Sequence, residues 1–335
     1  MRVWQTRGPV ALLLWPLSKL YGALLNFRYG LYVMGYKSQQ RMTVPVIVVG
    51  NIFIGGTGKT PMVIWLVEYL RMHGWNPGVI SRGYGADPEA VLDVSPQSVA
   101  SEVGDEPLLI AQSTGCPMSV GRRRAAVASQ LLSIHPSVDI IISDDGLQHY
   151  GLARDLEILM FDQRGIGNGF LLPAGPLREM PQRRRDFTIL NSNMDTVPKG
   201  IGDAVFKMSL QASVLTQLSA EQHKAELRTL RGKKILAAAG IGHPQRFFQL
   251  LSQHGLQFEQ MPLPDHFSYT SDLFAQKDAE IILITEKDAV KCRQLAGLRD
   301  DPRIWVVPVV AELDKHFGPQ LLAKISEIKH GLTSA

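Results

Sequence analysis

The chain has 335 residues, 45% of them hydrophobic and 20% charged, with no repeat or low-complexity tract, a balance that suits a soluble protein with two cores. Its formal charge of +4 is mild, and Lys and Arg fall in short clusters; this argues against a dedicated nucleic-acid groove and for an anionic ligand or a lipid surface. The two cysteines, Cys116 and Cys292, lie far apart, which excludes a disulfide framework or a metal-type cysteine motif and points to a reducing compartment.

Residues 9–36 (PVALLLWPLSKLYGALLNFRYGLYVMGY) raise the question of a membrane span. Pro16, Lys19, Asn26 and Arg28 interrupt the run, so no stretch of ~20 apolar residues survives. No small-residue cleavage site follows a short apolar core, so a signal peptide is not expected either. Val10, Leu13, Leu14, Leu17, Leu24, Phe27 and Leu31 instead recur at helical spacing, and Trp4, Trp15, Tyr21, Tyr29 and Tyr32 suit a headgroup boundary. The pattern predicts an amphipathic helix lying in a membrane interface, the alternative being a helix packed on the protein's own core.

From residue 44 onward, short β-rich runs alternate with helical patterns, the signature of an α/β sheet with crossover helices. Strands are expected at 44–50 (VPVIVVG), 77–81, 138–143 (VDIIIS) and 156–161, and helices at 59–73, 102–112 and 122–134. A Gly-, Pro- and Arg-rich loop from 162 to 185 is too long for a plain connector. Short alternations at 196–222 (VFKMSL, SVLTQL) suggest a strand-rich linker to a second, smaller α/β domain. There, 234–238, 280–285 and 303–307 read as strands, and 244–253, 287–296 and 318–329 as helices. The expected division is 1–36 for the N-terminal helix region, 37–195 for the first domain, 196–222 for the linker and 223–335 for the second domain.

Gly55-Gly56-Thr57-Gly58-Lys59-Thr60 stands between a strand and a helix, the arrangement that holds a nucleoside triphosphate. Successive backbone N–H groups and the helix N-terminus point at the phosphates. Lys59 would reach the β- and γ-phosphates and the Thr60 hydroxyl would hold Mg²⁺, with Phe53 and Ile54 leading into the loop. Strict phosphate loops carry a further glycine where this chain has Phe53. A second magnesium handle is expected at the end of a neighbouring strand, and Asp144 and Asp145 close Ile140-Ile141-Ile142-Ser143. More charged loops follow strands: Ser81-Arg82-Gly83-Tyr84-Gly85, Gly104-Asp105-Glu106-Pro107, Gly121-Arg122-Arg123-Arg124 and Gly175-Pro176-Leu177-Arg178-Glu179. Together they imply an anionic substrate beside the nucleotide.

These motifs, with Asp144-Asp145-Gly146-Leu147-Gln148-His149, Pro264-Asp265-His266-Phe267 and the 285–291 run TEKDAVK, resemble in order and over nearly the whole chain the tetraacyldisaccharide 4'-kinases, the lipid A 4'-kinases of Gram-negative bacteria. The resemblance implies a three-layer α/β/α domain of the P-loop NTPase type, a second α/β domain and an N-terminal amphipathic helix. It implies transfer of the ATP γ-phosphoryl group to the 4'-hydroxyl of an acylated disaccharide 1-phosphate, in lipopolysaccharide synthesis at the cytoplasmic face of the inner membrane. The helix would dock on that bilayer; no nucleic acid or obligate protein partner is implied. Asp105 and His266 carry over as a catalytic pair beside Lys59. Asp144, Asp145 and Glu179 carry over to Mg²⁺ and the nucleotide, and Arg82, Tyr84, Arg123 and Arg178 to the substrate.

A carboxylate is a sensible base here, because a sugar hydroxyl is a poor nucleophile until its proton is taken. Rival readings are a partner-regulated P-loop ATPase, a GTPase, and a membrane-recruited scaffold that binds nucleotide without turnover. The first is disfavoured by Ile54 where such loops carry lysine. The second rests on Thr285-Glu286-Lys287-Asp288, whose lysine falls one position late for a guanine-reading motif. Gly240-Ile241-Gly242 lacks the third glycine of a dinucleotide loop.

Overall fold

The computed structural model describes residues 4–83, 90–194 and 196–333. After helix α1 (Pro9–Val33), the chain enters a central strand, β1 (Val46–Asn51), all six residues of which are buried. A β-branched run covered on both faces is what a parallel sheet between two helix layers requires. The helix α2 (Lys59–Met72) leads to β2 (Pro77–Ser81) and the short β3 (Leu92–Asp93). The helix expected at 102–112 is two pieces, α3 (Ala100–Val103) and α4 (Asp105–Thr114), split by Gly104 at φ 92°. Only glycine takes that conformation cheaply, and it re-aims the chain so that Asp105 opens a helix. There follow β4 (Met118–Val120), α5 (Arg124–Ile134), β5 (Ile140–Asp144), β6 (Leu156–Asp162), β7 (Phe187–Asn191) and β8 (Val205–Ala212).

The second sheet is built from β9 (Leu215–Gln217), β10 (Ala220–Ala225), β11 (Ile235–Ala239), β12 (Glu259–Pro262), β13 (Ile281–Thr285) and β14 (Ile304–Val307). Helices α6 (Pro244–Gln253), α7 (Glu286–Cys292) and α8 (Ala296–Arg299) accompany it, and β15 (Val309–Leu313) and α9 (Phe317–Thr333) complete the chain. The nine-stranded sheet runs β15-β8-β7-β6-β1-β5-β2-β4-β3 and the six-stranded sheet β10-β9-β14-β13-β11-β12. Val49 pairs with Asp144, so the aspartate that ends β5 lies beside the strand that feeds the glycine loop.

The division of the chain differs from the expected one at both ends of the second domain. The 196–222 stretch is no separate linker: β8 pairs parallel with β7 in the first sheet, while β9 and β10 belong to the second. At the C-terminus the chain returns, with β15 antiparallel to β8 and Phe317, Leu321 and Ile325 of α9 in the same core as Ile47 and Leu66. The domains are thus joined by two adjacent crossings, tied where Ser213 N–H donates to Pro308 O at 2.9 Å. Local alternation cannot tell which of two sheets a strand joins, and that ambiguity is where the expectation failed.

Helix α1 docks along one narrow face. Ala11 and Ser18 are buried, the Ser18 hydroxyl donates to Leu171 O, and Tyr21 OH donates to Arg178 O at 3.2 Å. Tyr29 and Tyr32 pack on Tyr150. The opposite stripe faces outward: Leu13 is 79% exposed, Leu24 58% and Phe27 65%. By length and composition α1 suffices to cross a bilayer, despite the interruptions at Pro16, Lys19, Asn26 and Arg28. Both free cysteines are buried, as suits a chain without disulfides.

Candidate active site

A cleft of about 930 Å³ opens between the two sheets, lined from one side by the glycine loop and from the other by residues that follow β11, β12 and β13. The loop leaves β1 and turns into α2 through Gly55 at φ 100° and Gly58 at φ 91°. Asn51 fastens its start by donating to Phe53 O at 2.8 Å and Gly55 O at 3.0 Å; Asn191, at the end of β7, donates to Thr57 O at 3.0 Å. Lys59 lies 3.3 Å from Asn51 Oδ1 and 3.6 Å from Asp145 Oδ1. Ile54 lines the cleft, whereas the Phe53 ring lies beneath the Arg164 guanidinium, 4.3 Å from its centroid, where strict phosphate loops have glycine.

Asp144 and Asp145 differ in their surroundings. Asp144 is buried and accepts from Ser81 Oγ at 3.1 Å, while its Oδ1 is buried with no hydrogen-bond partner among the described residues. Burial, and then the nearby Glu106 carboxylate, push its carboxyl up to about 6. Asp145 sits at φ 47°, a strained backbone for a non-glycine residue, and pairs with Arg178 at 3.2 Å. Burial opposes its charge, but Lys59 and Arg178 outweigh it and hold the carboxyl below its ordinary value. The donor set fits Mg²⁺: a buried carboxylate oxygen lacking a partner shares the cleft with the Thr60 hydroxyl. No cluster of three or more acidic, His or Cys side chains forms a cage among the described residues. Such a sparse set suits an ion that keeps waters and phosphate oxygens as its other ligands.

Asp105 is 5% exposed, at the first position of α4, where the helix N-terminus favours negative charge. His266, on the loop after β12 and itself at φ 57°, places Nδ1 at 3.1 Å from each carboxylate oxygen. Burial works against the ionised form of Asp105, but the hydrogen bond with His266 and the charge of Lys287 overcome it and hold the carboxyl at about 2. The same hydrogen bond raises the His266 imidazole above its ordinary value, against burial. Lys287 Nζ bridges the domains, 3.0 Å from Glu106 and 3.1 Å from Asp265. A second bridge joins Arg246 to Asp162 at 3.1 Å; Asp162 also takes the Arg164 Nε at 2.9 Å, and Arg164 Nη2 donates to Gly56 O at 3.0 Å.

The cleft therefore gathers Ile54 through Thr60, Arg82, Asp105, Asp144, Asp145, Arg178 and His266. It does not gather all the expected residues. Glu179 lies outside it, its carboxylate accepting from Gln148 Nε2 at 2.7 Å and Tyr150 OH at 3.0 Å beneath α1, with Arg183 at 3.3 Å. Arg123 is exposed at the N-cap of α5; its neighbour Arg124 is the buried one, donating to Gly121 O and Asp144 O behind the carboxylate pair. Tyr84 lies outside the described residues. Sequence reasoning missed Asn51, Asn191, Arg164 and Arg246, which no local motif distinguishes from ordinary polar loop residues.

A family model described as tetraacyldisaccharide-1-P 4'-kinase matches residues 10–326. The chain belongs to that family. It is 54% identical over 337 residues to the tetraacyldisaccharide 4'-kinase of Herminiimonas arsenicoxydans, covering 97% of this chain and 94% of that one. It is 45% identical to that of Azoarcus sp. (strain BH72), covering 98% and 95%. The structure superposes with a TM-score of 0.77 on LpxK from Aquifex aeolicus, an "apo" form in complex with ATP, at 29% identity over 94% of this chain and 99% of that one. The family kinase is thus an enzyme of phosphoryl transfer to a tetraacyldisaccharide 1-phosphate, and the regulated-ATPase, GTPase and scaffold readings give way to it.

Proposed function

We propose that the cleft binds the triphosphate of ATP on the glycine loop and that Asp105, oriented by His266, is the base that takes the proton of the acceptor's 4'-hydroxyl. The observation that carries this reading is the placement of a buried carboxylate on the same cleft as Lys59, with an imidazole nitrogen 3.1 Å from both its oxygens. The hydroxyl oxygen attacks the γ-phosphorus, the bond from that phosphorus to the β–γ bridging oxygen breaks, ADP leaves with the electron pair, and the hydroxyl proton passes to Asp105. Lys59 and the loop N–H groups steady the β- and γ-phosphates. Thr60 and the unpartnered oxygen of Asp144 would hold Mg²⁺, which when bound neutralises charge on the phosphate oxygens. Arg178 and Arg82 lie where they can meet phosphate or acceptor.

The acceptor's acyl chains give the outward stripe of α1 a purpose. Keeping a leucine-sized side chain out of water is worth about 1.5–3 kcal/mol, so Leu13, Leu20, Leu24 and Phe27 together favour the interface of a bilayer. The kinase then works as a peripheral protein on the cytoplasmic face of the inner membrane, with its lipid substrate still anchored. The test is incubation with γ-labelled ATP, Mg²⁺ and a detergent-dispersed acylated disaccharide 1-phosphate. Label on the lipid is expected; none, under conditions where ATP binds, rejects the reading.

A further inference from the structure

Two lysines on α7, Lys287 and Lys291, stand one helical turn apart and so share a face. That face meets the acidic first turn of α4 across the domain boundary. Lys287 Nζ is 3.9 Å and Lys291 Nζ 3.4 Å from Asp105 Oδ2. His266 also comes from the second domain, so three nitrogen-bearing side chains of one domain converge on a single carboxylate of the other.

Lys287 has further acid partners in Glu106 and Asp265 and could be a clasp alone. Lys291 is different. Its ammonium nitrogen is buried and has no hydrogen-bond partner among the described residues, with the Tyr269 ring 5.4 Å away on its other side. Desolvating an ammonium without an acceptor is costly, and the ion pair with Asp105 is the compensation the geometry offers. Among the described residues the charged groups facing Asp105 are His266, Lys287 and Lys291; Glu106 follows it in the chain, Asp265 lies 3.1 Å from Lys287 and 3.9 Å from His266 Nε2, and Asp288 feels the charge of Lys291.

We propose that Lys287 and Lys291 are positioning residues which keep the Asp105 carboxylate ionised and aimed when the second domain is docked against the first. The proposal rests on the reading of Asp105 as the base. Burial alone disfavours an ionised carboxylate; the His266 hydrogen bond and then the ammonium groups of Lys287 and Lys291, all carried by the other domain, reverse that, so a competent base and a docked second domain become one event. The TEKDAVK run, whose lysine is out of register for reading guanine, thereby acquires a role in this kinase.

The test compares Lys291→Met, Lys287→Met and Lys291→Arg with the wild type in full-length protein of unchanged thermal midpoint. Loss of either charge is expected to lower kcat about tenfold or more while the Kd for ATP stays within about twofold. The acid limb of the kcat profile should move to higher pH, because Asp105 has lost a cation, and Lys291→Arg should restore both kcat and the limb. Unchanged kcat and acid limb in the methionine variants overturn the proposal, as does a lower kcat with an unmoved limb that arginine does not rescue. Asp105→Asn, run alongside, separates the two readings: if it retains transfer the base assignment fails, and if it abolishes transfer while the lysine variants behave as wild type, only the lysine proposal fails.

Discussion

His266 Nδ1 reaches both carboxylate oxygens of Asp105 at 3.1 Å across 161 positions of sequence and across the boundary between two domains. Folding brings them together because Gly104 re-aims the chain into α4 and because the loop after β12 accepts a strained φ at His266. The pairing has consequences for stability as well as for chemistry.

Asp105 has a depressed folded-state value, about 2 against an ordinary 3.8, so its contribution is present above the unfolded value and is lost as pH falls through the folded one. It amounts to about 2 kcal/mol at neutral pH. His266 runs the other way: its raised value stabilises the fold at pH below its unfolded value, and that contribution fades as pH rises through the folded one. Guanidinium unfolding of wild type and Asp105→Asn should therefore differ at neutral pH by a margin that shrinks as pH falls from about 5 towards 2. A margin independent of pH over that range would show that Asp105 is not held ionised.

Gly58 occupies a φ of 91°, and a Cβ there would run into Asn191 Nδ2. Gly58→Ala is expected to cost about 1–3 kcal/mol and to weaken ATP binding strongly, since the loop must shift away from Asn191. Calorimetric Kd values and thermal midpoints check this; wild-type ATP affinity in the alanine variant would contradict the loop geometry.

How far these features were legible in the sequence depended on whether they were local. The positions of the glycine loop between β1 and α2 and of the Asp144–Asp145 pair at the end of β5 were, because a strand, a turn and a helix in succession place a loop within a few residues. The stripe of α1 was also readable, but the face that docks was not. Ser18 and Ala11 are small residues among leucines, and the burial of Ser18 depends on the 162–185 loop it meets. Long-range pairing was the blind spot. From the residues alone His266 looks like any loop histidine, and only the family resemblance set it beside Asp105. Arg124 was passed over for Arg123 because three consecutive arginines carry no burial signal. Strand β15 and helix α9 were assigned to the nearer domain because nothing in their own pattern records a return to the first sheet.

The outward stripe of α1 predicts a separable membrane function. Leu13→Asp, Leu20→Asp and Leu24→Asp together should reduce co-flotation with anionic phospholipid vesicles by about tenfold or more. Fold stability should stay within about 0.5 kcal/mol, because these side chains touch solvent rather than the core. Transfer to a detergent-dispersed acceptor should stay close to wild type. Undiminished flotation would mean that α1 is not the contact.

The central claim is that Asp105 acts on the acceptor's proton and not on nucleotide binding. The most direct measurement is single-turnover transfer from γ-labelled ATP to the acylated disaccharide 1-phosphate by Asp105→Asn, with ATP affinity measured on the same preparation. The account predicts a transfer rate lower by about 10²–10⁴-fold with a Kd for ATP within about twofold of wild type. Transfer at the wild-type rate, or a loss of rate matched by an equal loss of ATP affinity, would contradict it.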